Sequence, residues 1–199
     1  MKVFLRIPTA AGVDRELTRW LMWFAREMPD ADIDIHCSCW GVVENRNQIC
    51  QQFLQSDCTH LWMVDADTVP PKNLNLLEHA DEFPCLNGIY QHLTMEGLVW
   101  DTWFRMPDKN YAPIPQRRWP KERLFNVDAV GCGCMVLQKE LVEAIQEPRF
   151  EMRDGKGEDF HFCERVAEAG YKVMVDRDYR CDHQKDVSLR LLSRITKGI

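Results

Sequence analysis

Short apolar runs alternate with amphipathic stretches along the first third of the chain. Val3–Ile7 and His60–Val64 are apolar runs of strand length, and Asp32–Ile35 alternates polar with apolar side chains. Between them, Val13–Met28 and Asn45–Leu54 repeat apolar residues at spacings of three and four, which predicts two helices with one apolar face each. The order strand, helix, strand, helix, strand predicts a parallel sheet, because parallel neighbours need long crossover connections.

The second half of the chain continues this alternation with one interruption. The pattern predicts helices at Asn73–His79, Lys139–Ile145 and Glu158–Ala169, strands at Cys85–Tyr90 and Tyr171–Val175, and further ordered segments at Phe125–Val130 and Met135–Leu137. Residues 106–124 contain four prolines and little periodicity, which predicts a loop, and a mobile one. Residues 184–199 are expected to form a C-terminal tail or helix.

Length and composition are typical of one soluble domain. A chain of 199 residues is long enough for one substantial core and too short for two, so we expect residues 1–199 to form a single α/β domain. Its sheet should be Rossmann-like, mostly parallel and flanked by helices. The net charge of −6 argues against a surface that grips a polyanion as a whole. No apolar stretch reaches the roughly 20 residues of a transmembrane segment, and no signal-peptide core is present, so the expected location is cytoplasmic.

Two aspartates directly follow the predicted strand His60–Val64. In an open α/β sheet, ligands bind beyond the carboxyl ends of the strands, and Asp65 and Asp67 occupy such an end. Residues two apart in extended chain share a face, so both carboxylates are expected in one crevice. Two adjacent carboxylates favour a divalent cation, Mg²⁺ or Mn²⁺, shared with a diphosphate. The alternative is that both are turn-forming acids that cap the following segment.

The aspartate pair belongs to a longer series of motifs. In chain order these are Arg46-Asn47, Asp57-Cys58-Thr59-His60, Val64-Asp65-Ala66-Asp67, Val130-Gly131-Cys132-Gly133-Cys134-Met135, Gly157-Glu158-Asp159-Phe160 and Asp182-His183. This set, spread over roughly residues 1–185, resembles the GT-A glycosyltransferases, especially the family-2-like members of the nucleotide-diphospho-sugar transferase superfamily. Each motif is short, so their order and spacing carry the resemblance.

The resemblance implies metal-dependent transfer of a sugar from a nucleotide-diphosphate sugar, a UDP-sugar above all, to an acceptor hydroxyl. It places Mn²⁺ or Mg²⁺ on Asp65 and Asp67, with His183 completing the metal shell. It makes Asp159 the base of an inverting reaction, with Glu158 orienting sugar or acceptor. The donor-binding positions that it implies are Pro8, Thr9, Arg46, Asn47, Asp65, Ala66, Gly131, Cys132 and Gly133.

Several of these positions have a structural alternative. Glu158 and Asp159 suit a first helical turn, where the helix dipole favours acids. His183 could be an exposed histidine in a polar tail. Gly131 and Gly133 fit a strand bulge as well as close approach of the backbone to a donor sugar.

Two other functional classes remain open. A nucleotidyltransferase also combines a doubly wound sheet with metal-binding aspartates, but it usually has a basic, glycine-rich loop where this chain has Pro8-Thr9-Ala10-Ala11-Gly12. A non-enzymatic nucleotide-binding module fits less well, because Asp159 and His183 are both present.

One basic stretch bears on the identity of the acceptor. Cations alternate with an indole in this stretch, a combination able to bind phosphate and to stack on a base or a sugar. Its residues are Arg117, Arg118, Trp119, Lys121 and Arg123. A saccharide, a lipid phosphate or a modified nucleic-acid base would all fit, and the alternative is a solvated loop.

Overall fold

A computed structural model of the chain describes residues 1–39, 41–94 and 97–185. The helices are α1 (Arg15–Glu27), α2 (Val42–Gln55), α3 (Asn75–Glu78), α4 (Lys139–Ala144) and α5 (Glu158–Glu168), with a 3₁₀ turn at Gln116–Arg118. The strands are β1 (Val3–Thr9), β2 (Asp32–Cys37), β3 (His60–Val64), β4 (Thr68–Val69), β5 (Cys85–Ile89), β6 (Gln91–Thr94), β7 (Gly97–Trp100), β8 (Trp103–Arg105), β9 (Tyr111–Pro113), β10 (Leu124–Val127), β11 (Cys134–Gln138), β12 (Val173–Arg180) and β13 (Asp182–His183). Within those ranges, no helix combines the length and the apolar character that crossing a membrane requires.

The central sheet has seven strands in the order β10-β12-β5-β11-β3-β1-β2. Strands β10 and β11 run antiparallel to their neighbours, and the others run parallel to one another. The predicted fold class, a mixed α/β domain with a mostly parallel sheet flanked by helices, is therefore confirmed. The first five predicted elements are all present, and β1, β2 and α2 are slightly longer than the sequence pattern indicates.

Helices cover both faces of the sheet because its inner strands send apolar side chains to both sides. In β3, Leu61 and Met63 pack on the face covered by α2, α4 and α5. Trp62 and Val64 pack on the opposite face, under α1 and α3. All four side chains are fully buried. A strand buried on both faces has a continuous apolar sequence, which is why the predicted bounds of β3 are correct to the residue.

The sequence pattern does not predict two hairpins that lie between β5 and β10. Strand β6 pairs with β7, and β8 pairs with β9, each in an antiparallel arrangement. These strands have three or four residues each, which is too short for an alternating pattern to stand out. Strand β9 and the 3₁₀ turn fall within residues 106–124, so part of the predicted loop has regular structure, while its mobility stays a prediction. Most of the predicted C-terminal tail, residues 186–199, lies outside the described residues.

One edge of the sheet brings distant parts of the chain together. The carboxyl ends of β1, β3, β5 and β12 meet there, because these strands are parallel to one another, and antiparallel β11 begins at the same edge. A small ribbon of β4 and β13 pairs His183 with Thr68 and so returns the chain to the end of β3. The predicted motifs after β3, before β11 and after β12 therefore share this edge.

Candidate active site

Asp67 and His183 lie together just beyond the end of β3. The β4–β13 ribbon places His183 Nε2 3.6 Å from Asp67 Oδ2. On the other side of the ring, His183 Nδ1 lies 2.9 Å from the backbone oxygen of Gln91. A carbonyl oxygen only accepts hydrogen bonds, so in the neutral ring Nδ1 carries the proton and Nε2 keeps its lone pair. A lone pair and a carboxylate oxygen side by side form a site that favours a cation.

A lysine contacts the same carboxylate. Lys185 Nζ binds Asp67 Oδ2, and the backbone N–H of Gln184 donates to the backbone oxygen of Asp67 at 2.7 Å. Burial alone would raise the pKa of Asp67, but Lys185 and the protonated form of the His183 ring, in which Nε2 also carries a hydrogen, outweigh burial and lower it to about 2. Asp67 is therefore an anion throughout the physiological pH range.

Arg46 connects the first aspartate of the pair to the start of α5. Its Nη2 lies 2.8 and 3.0 Å from the two carboxylate oxygens of Asp65, and its Nη1 lies 2.6 Å from Glu158 Oε1. The Arg46 side chain is only 4% exposed, so its charge has to be neutralised within the protein. Burial lowers the pKa of the guanidinium, but the Asp65 carboxylate and neighbouring anions outweigh burial and raise it. The sequence predicts Arg46 against the donor, whereas in the structure it is an internal bridge.

The cation implied by the resemblance fits Asp67 and His183 better than it fits Asp65. The Asp67–His183 pair offers an oxygen and a nitrogen, and Gln91 orients the histidine from behind, as is usual for metal-binding histidines. The Asp65 carboxylate is held by the buried Arg46, whereas Lys185 on Asp67 is about half exposed and can move aside for an ion. In the described ranges, no group of three or more His, Cys, Asp or Glu side chains is arranged to hold a metal. Two protein ligands suit Mg²⁺ or Mn²⁺ when substrate phosphates complete the coordination.

Asp159 has no cation partner among the residues that the structure describes. It follows Glu158 in the first turn of α5, and its Oδ1 accepts a hydrogen bond from the backbone N–H of Phe160 at 2.9 Å. A Cβ on Gly157 would lie 2.8 Å from this oxygen, so glycine leaves room for the carboxylate. Burial and the charge of Glu158 raise the pKa of Asp159 to about 6, although Arg46 opposes them. A carboxylate with such a pKa is suited to accepting a proton near neutral pH.

The glycines before β11 make room for two side chains. A Cβ on Gly131 would collide with the Tyr90 hydroxyl and with Asp101 Oδ2, and a Cβ on Gly133 would lie 2.7 Å from the Tyr90 ring. The backbone N–H of Gly131 donates to Asp101 Oδ2 at 2.5 Å, and that of Gly133 donates to the Tyr90 hydroxyl at 3.2 Å. Close packing within the protein therefore accounts for both glycines without a donor sugar.

The turn after β1 and the residue between the two aspartates border an open cavity. Pro8 lies within β1, and the Thr9 hydroxyl accepts the Gly12 N–H at 3.1 Å, which closes the turn after the strand. The backbone oxygen of Ala66 accepts the Asp14 N–H at 2.9 Å. The cavity has a volume of about 420 Å³ and is lined by Gly12, Asp14, Ala66, Asp67, Gln184 and Lys185.

Two of the predicted donor-binding residues point to structural roles. The side-chain amide of Asn47 binds the backbone of residues 149–150, with its oxygen accepting from Arg149 and Phe150 at 2.9 and 3.0 Å. Its nitrogen donates to the backbone oxygen of Phe150 at 2.8 Å. The Cys132 side chain is buried, and burial raises the pKa of its thiol well above the ordinary value.

The basic stretch predicted to meet the acceptor is partly structural. Arg123 pairs with the fully buried carboxylate of Asp176, at N–O distances of 2.6 to 3.1 Å. The Trp119 indole N–H donates to the backbone oxygen of Ile114 at 3.2 Å. The remaining members are exposed: Arg117, Arg118 and Lys121.

The sequence pattern did not identify several polar residues at this edge. Tyr90 and His92 follow β5, so the rule that singled out the residues after β3 applies to them as well. Asp101 follows β7 of an unpredicted hairpin, and Lys185 reaches Asp67 across 118 positions of sequence. Neither the position of Asp101 at this edge nor the contact of Lys185 with Asp67 has a local signal in the sequence.

No protein-family model and no curated protein sequence matches this chain. Among solved structures, A197 from STIV is similar with a TM-score of 0.69 and 21% identity, over 94% of this chain and 87% of that one. GalNAc-T7 with UDP, GalNAc and Mn²⁺ gives a TM-score of 0.59 and 12% identity, over 93% of this chain and 38% of that one. S. aureus TarS 1–349 in complex with UDP-GlcNAc gives a TM-score of 0.59 and 14% identity, over 97% of this chain and 61% of that one. At these identities the likeness concerns the fold alone, and the chain has a GT-A-like α/β fold.

Proposed function

We propose that this chain is a metal-dependent glycosyltransferase that moves a sugar from a UDP-sugar to an acceptor hydroxyl with inversion. One observation carries the proposal: a carboxylate with a pKa of about 6, on Asp159, shares the strand-end edge with the Asp67–His183 pair. Sugar transfer from a diphosphate needs both a proton acceptor and positive charge near the leaving group. The GT-A-like fold shared with GalNAc-T7 and TarS, whose structures hold UDP and UDP-GlcNAc, supports the choice of donor.

Positive charge for the leaving diphosphate comes from residues around the 420 Å³ cavity. Asp67 and His183 would hold Mn²⁺ or Mg²⁺, which supplies stabilisation of the negative charge that develops on the diphosphate. Lys185 lines the same cavity and brings a further positive charge to it. The low pKa of Asp67 keeps this carboxylate ionised whenever the donor binds.

The proton of the acceptor hydroxyl goes to Asp159. As the acceptor oxygen forms its bond to the anomeric carbon, Asp159 takes the proton, and the bond to the diphosphate breaks with its electron pair leaving on the diphosphate. Glu158 is the poorer base because Arg46 Nη1 holds its carboxylate at 2.6 Å. Glu158 therefore orients this end of α5 through Arg46.

Donor hydrolysis tests the proposed function directly. Purified protein is incubated with Mn²⁺ and a panel of UDP-, GDP- and TDP-sugars, and free nucleoside diphosphate is measured. We expect release from a UDP-sugar, and loss of release in excess chelator. Release of pyrophosphate from a nucleoside triphosphate would instead support a nucleotidyltransferase.

Replacing Asp67 with alanine should abolish metal-dependent donor binding and leave the fold intact. Its side chain is 39% exposed and contacts His183 and Lys185 rather than the core, so the substitution costs little packing. Calorimetric titration of Mn²⁺ with UDP present measures the effect, with exposed Asp30→Ala as the matched control. Unchanged activity in excess chelator would refute the metal assignment.

The pH profile should show an acidic limb around pH 6. The pKa of Asp159 is raised to about 6, so the base is ionised above that pH and becomes protonated below it. At saturating donor and Mn²⁺, the turnover rate should therefore fall about tenfold per pH unit once the pH is well below the pKa. A turnover rate that stays constant down to pH values where ordinary aspartates protonate would contradict Asp159 as the base.

A further inference from the structure

Another polar cluster lies beside the cation pair and has no part in the transfer described above. His92 Nε2, on β6, lies 3.3 Å from Asp101 Oδ1. The His92 and His183 rings are perpendicular, with centroids 5.2 Å apart. Tyr90 packs edge-on against both rings, at 5.1 Å from His92 and 4.9 Å from His183. His92 is therefore a direct neighbour of the imidazole that would hold the cation.

Asp101 holds the His92 ring in one orientation. The Asp101 side chain is 2% exposed, and it also accepts the Trp103 indole N–H at 2.7 Å and the Gly131 backbone N–H at 2.5 Å. An ionised carboxylate only accepts hydrogen bonds, so His92 Nε2 carries the hydrogen that faces Asp101. Because Gly131 leaves room for Asp101, the arrangement depends on a glycine at that position.

The other nitrogen of His92 is available to a ligand. No described residue is a hydrogen-bond partner of Nδ1, and the side chain is 39% exposed. His92 therefore brings a ring nitrogen without a described partner close to the cation pair.

We propose that His92 binds a hydroxyl of the sugar being transferred and that Asp101 is the positioning residue behind it. This inference rests on the proposed function. The transferred sugar is bonded to the diphosphate at the cation, so its hydroxyls would lie near a side chain that neighbours the cation pair. A sugar hydroxyl can donate or accept one hydrogen bond at the free ring nitrogen, whereas UDP alone lacks these hydroxyls.

Binding of UDP and of UDP-sugars separates this role from a structural one. In the presence of Mn²⁺, calorimetry compares UDP with UDP-glucose, UDP-galactose, UDP-GlcNAc and UDP-GalNAc. In His92→Ala we expect unchanged affinity for UDP and a loss of about three- to tenfold for the tightest UDP-sugar, the size of one hydrogen bond. His92→Gln should recover part of the loss, because its amide can still bind a hydroxyl.

Equal weakening of UDP and UDP-sugar binding would make His92 structural and overturn the inference. An unchanged ratio between the two affinities in His92→Ala would also overturn it, while donor hydrolysis by the wild type would leave the proposed function standing. Failure of the wild type to bind any of the five nucleotides would overturn the UDP-sugar function and the role of His92 together.

Discussion

Replacing Asp159 with asparagine should lower the transfer rate by about 10²-fold or more, the usual effect of losing a general base. Asparagine has nearly the same shape, so the packing at the start of α5 and the room provided by Gly157 are preserved. The amide does not accept the proton of the acceptor hydroxyl. Donor affinity should change only slightly, because in the proposed function the cation and diphosphate contacts belong to Asp67, His183 and Lys185. Single-turnover rates and the Kd for the UDP-sugar measure the two effects separately.

Two variants of the same helix serve as controls for Asp159→Asn. Glu158→Gln should cost less or act mainly on binding, because Glu158 already binds Arg46. Glu168→Gln, at the exposed end of α5, should leave the rate unchanged. Equal and small losses at Glu158 and Asp159 would support a simple role of both acids in the first helical turn. A product with the anomeric configuration of the donor would contradict inversion whatever the variants show.

Arg46→Ala should destabilise the protein by about 3–5 kcal/mol, the range measured when one partner of a buried ion pair is removed. The substitution leaves the Asp65 and Glu158 carboxylates without their shared cation, and Glu158 is only 11% exposed. Loss of the guanidinium also removes packing against the Phe150 ring, 5.8 Å away. Urea unfolding monitored by tryptophan fluorescence measures the free energy of unfolding.

Charge-neutralising second substitutions show whether the unpaired carboxylates cause this loss. Arg46→Ala combined with Asp65→Asn and Glu158→Gln should recover part of the stability, because no buried charge is then left without a partner. Arg26→Ala, at an exposed position of α1, should change stability by less than about 0.5 kcal/mol. A loss at Arg46 as small as that at Arg26 would contradict the bridge.

The sequence predicts the parts of this fold whose physical cause is local. Strand β3 is buried on both faces, and α1 has a regular apolar face, so both have a clear pattern. Hairpins β6–β7 and β8–β9 are short and half-buried, so neither length nor alternation distinguishes them from loops. Their position depends on tertiary packing, as in the backbone hydrogen bond from Trp103 to Ala129 at 2.9 Å.

The same distinction applies to the candidate site. Asp65, Asp67 and Asp159 stand out because each follows a strand or begins a helix, and the order of the motifs relates them to one another. The pairing of Arg46 with Glu158 has no such signal, since the two residues lie 112 positions apart in the sequence. Likewise, the glycines before β11 are visible in the sequence, but Tyr90 and Asp101, which require them, become apparent only in the folded chain.

The ribbon of β4 and β13 makes the proposed cation site depend on two distant parts of the chain. Asp67 lies early in the chain, whereas His183 and Lys185 follow the last strand of the central sheet, and the ribbon that joins the two parts has two residues on each side. A nascent or proteolysed chain that lacks β13 has only half of the proposed cation pair, so it would not bind the ion as the folded domain would. A ligand that binds only the native state stabilises it by mass action, so Mn²⁺ would select completely folded molecules over those in which this ribbon has opened.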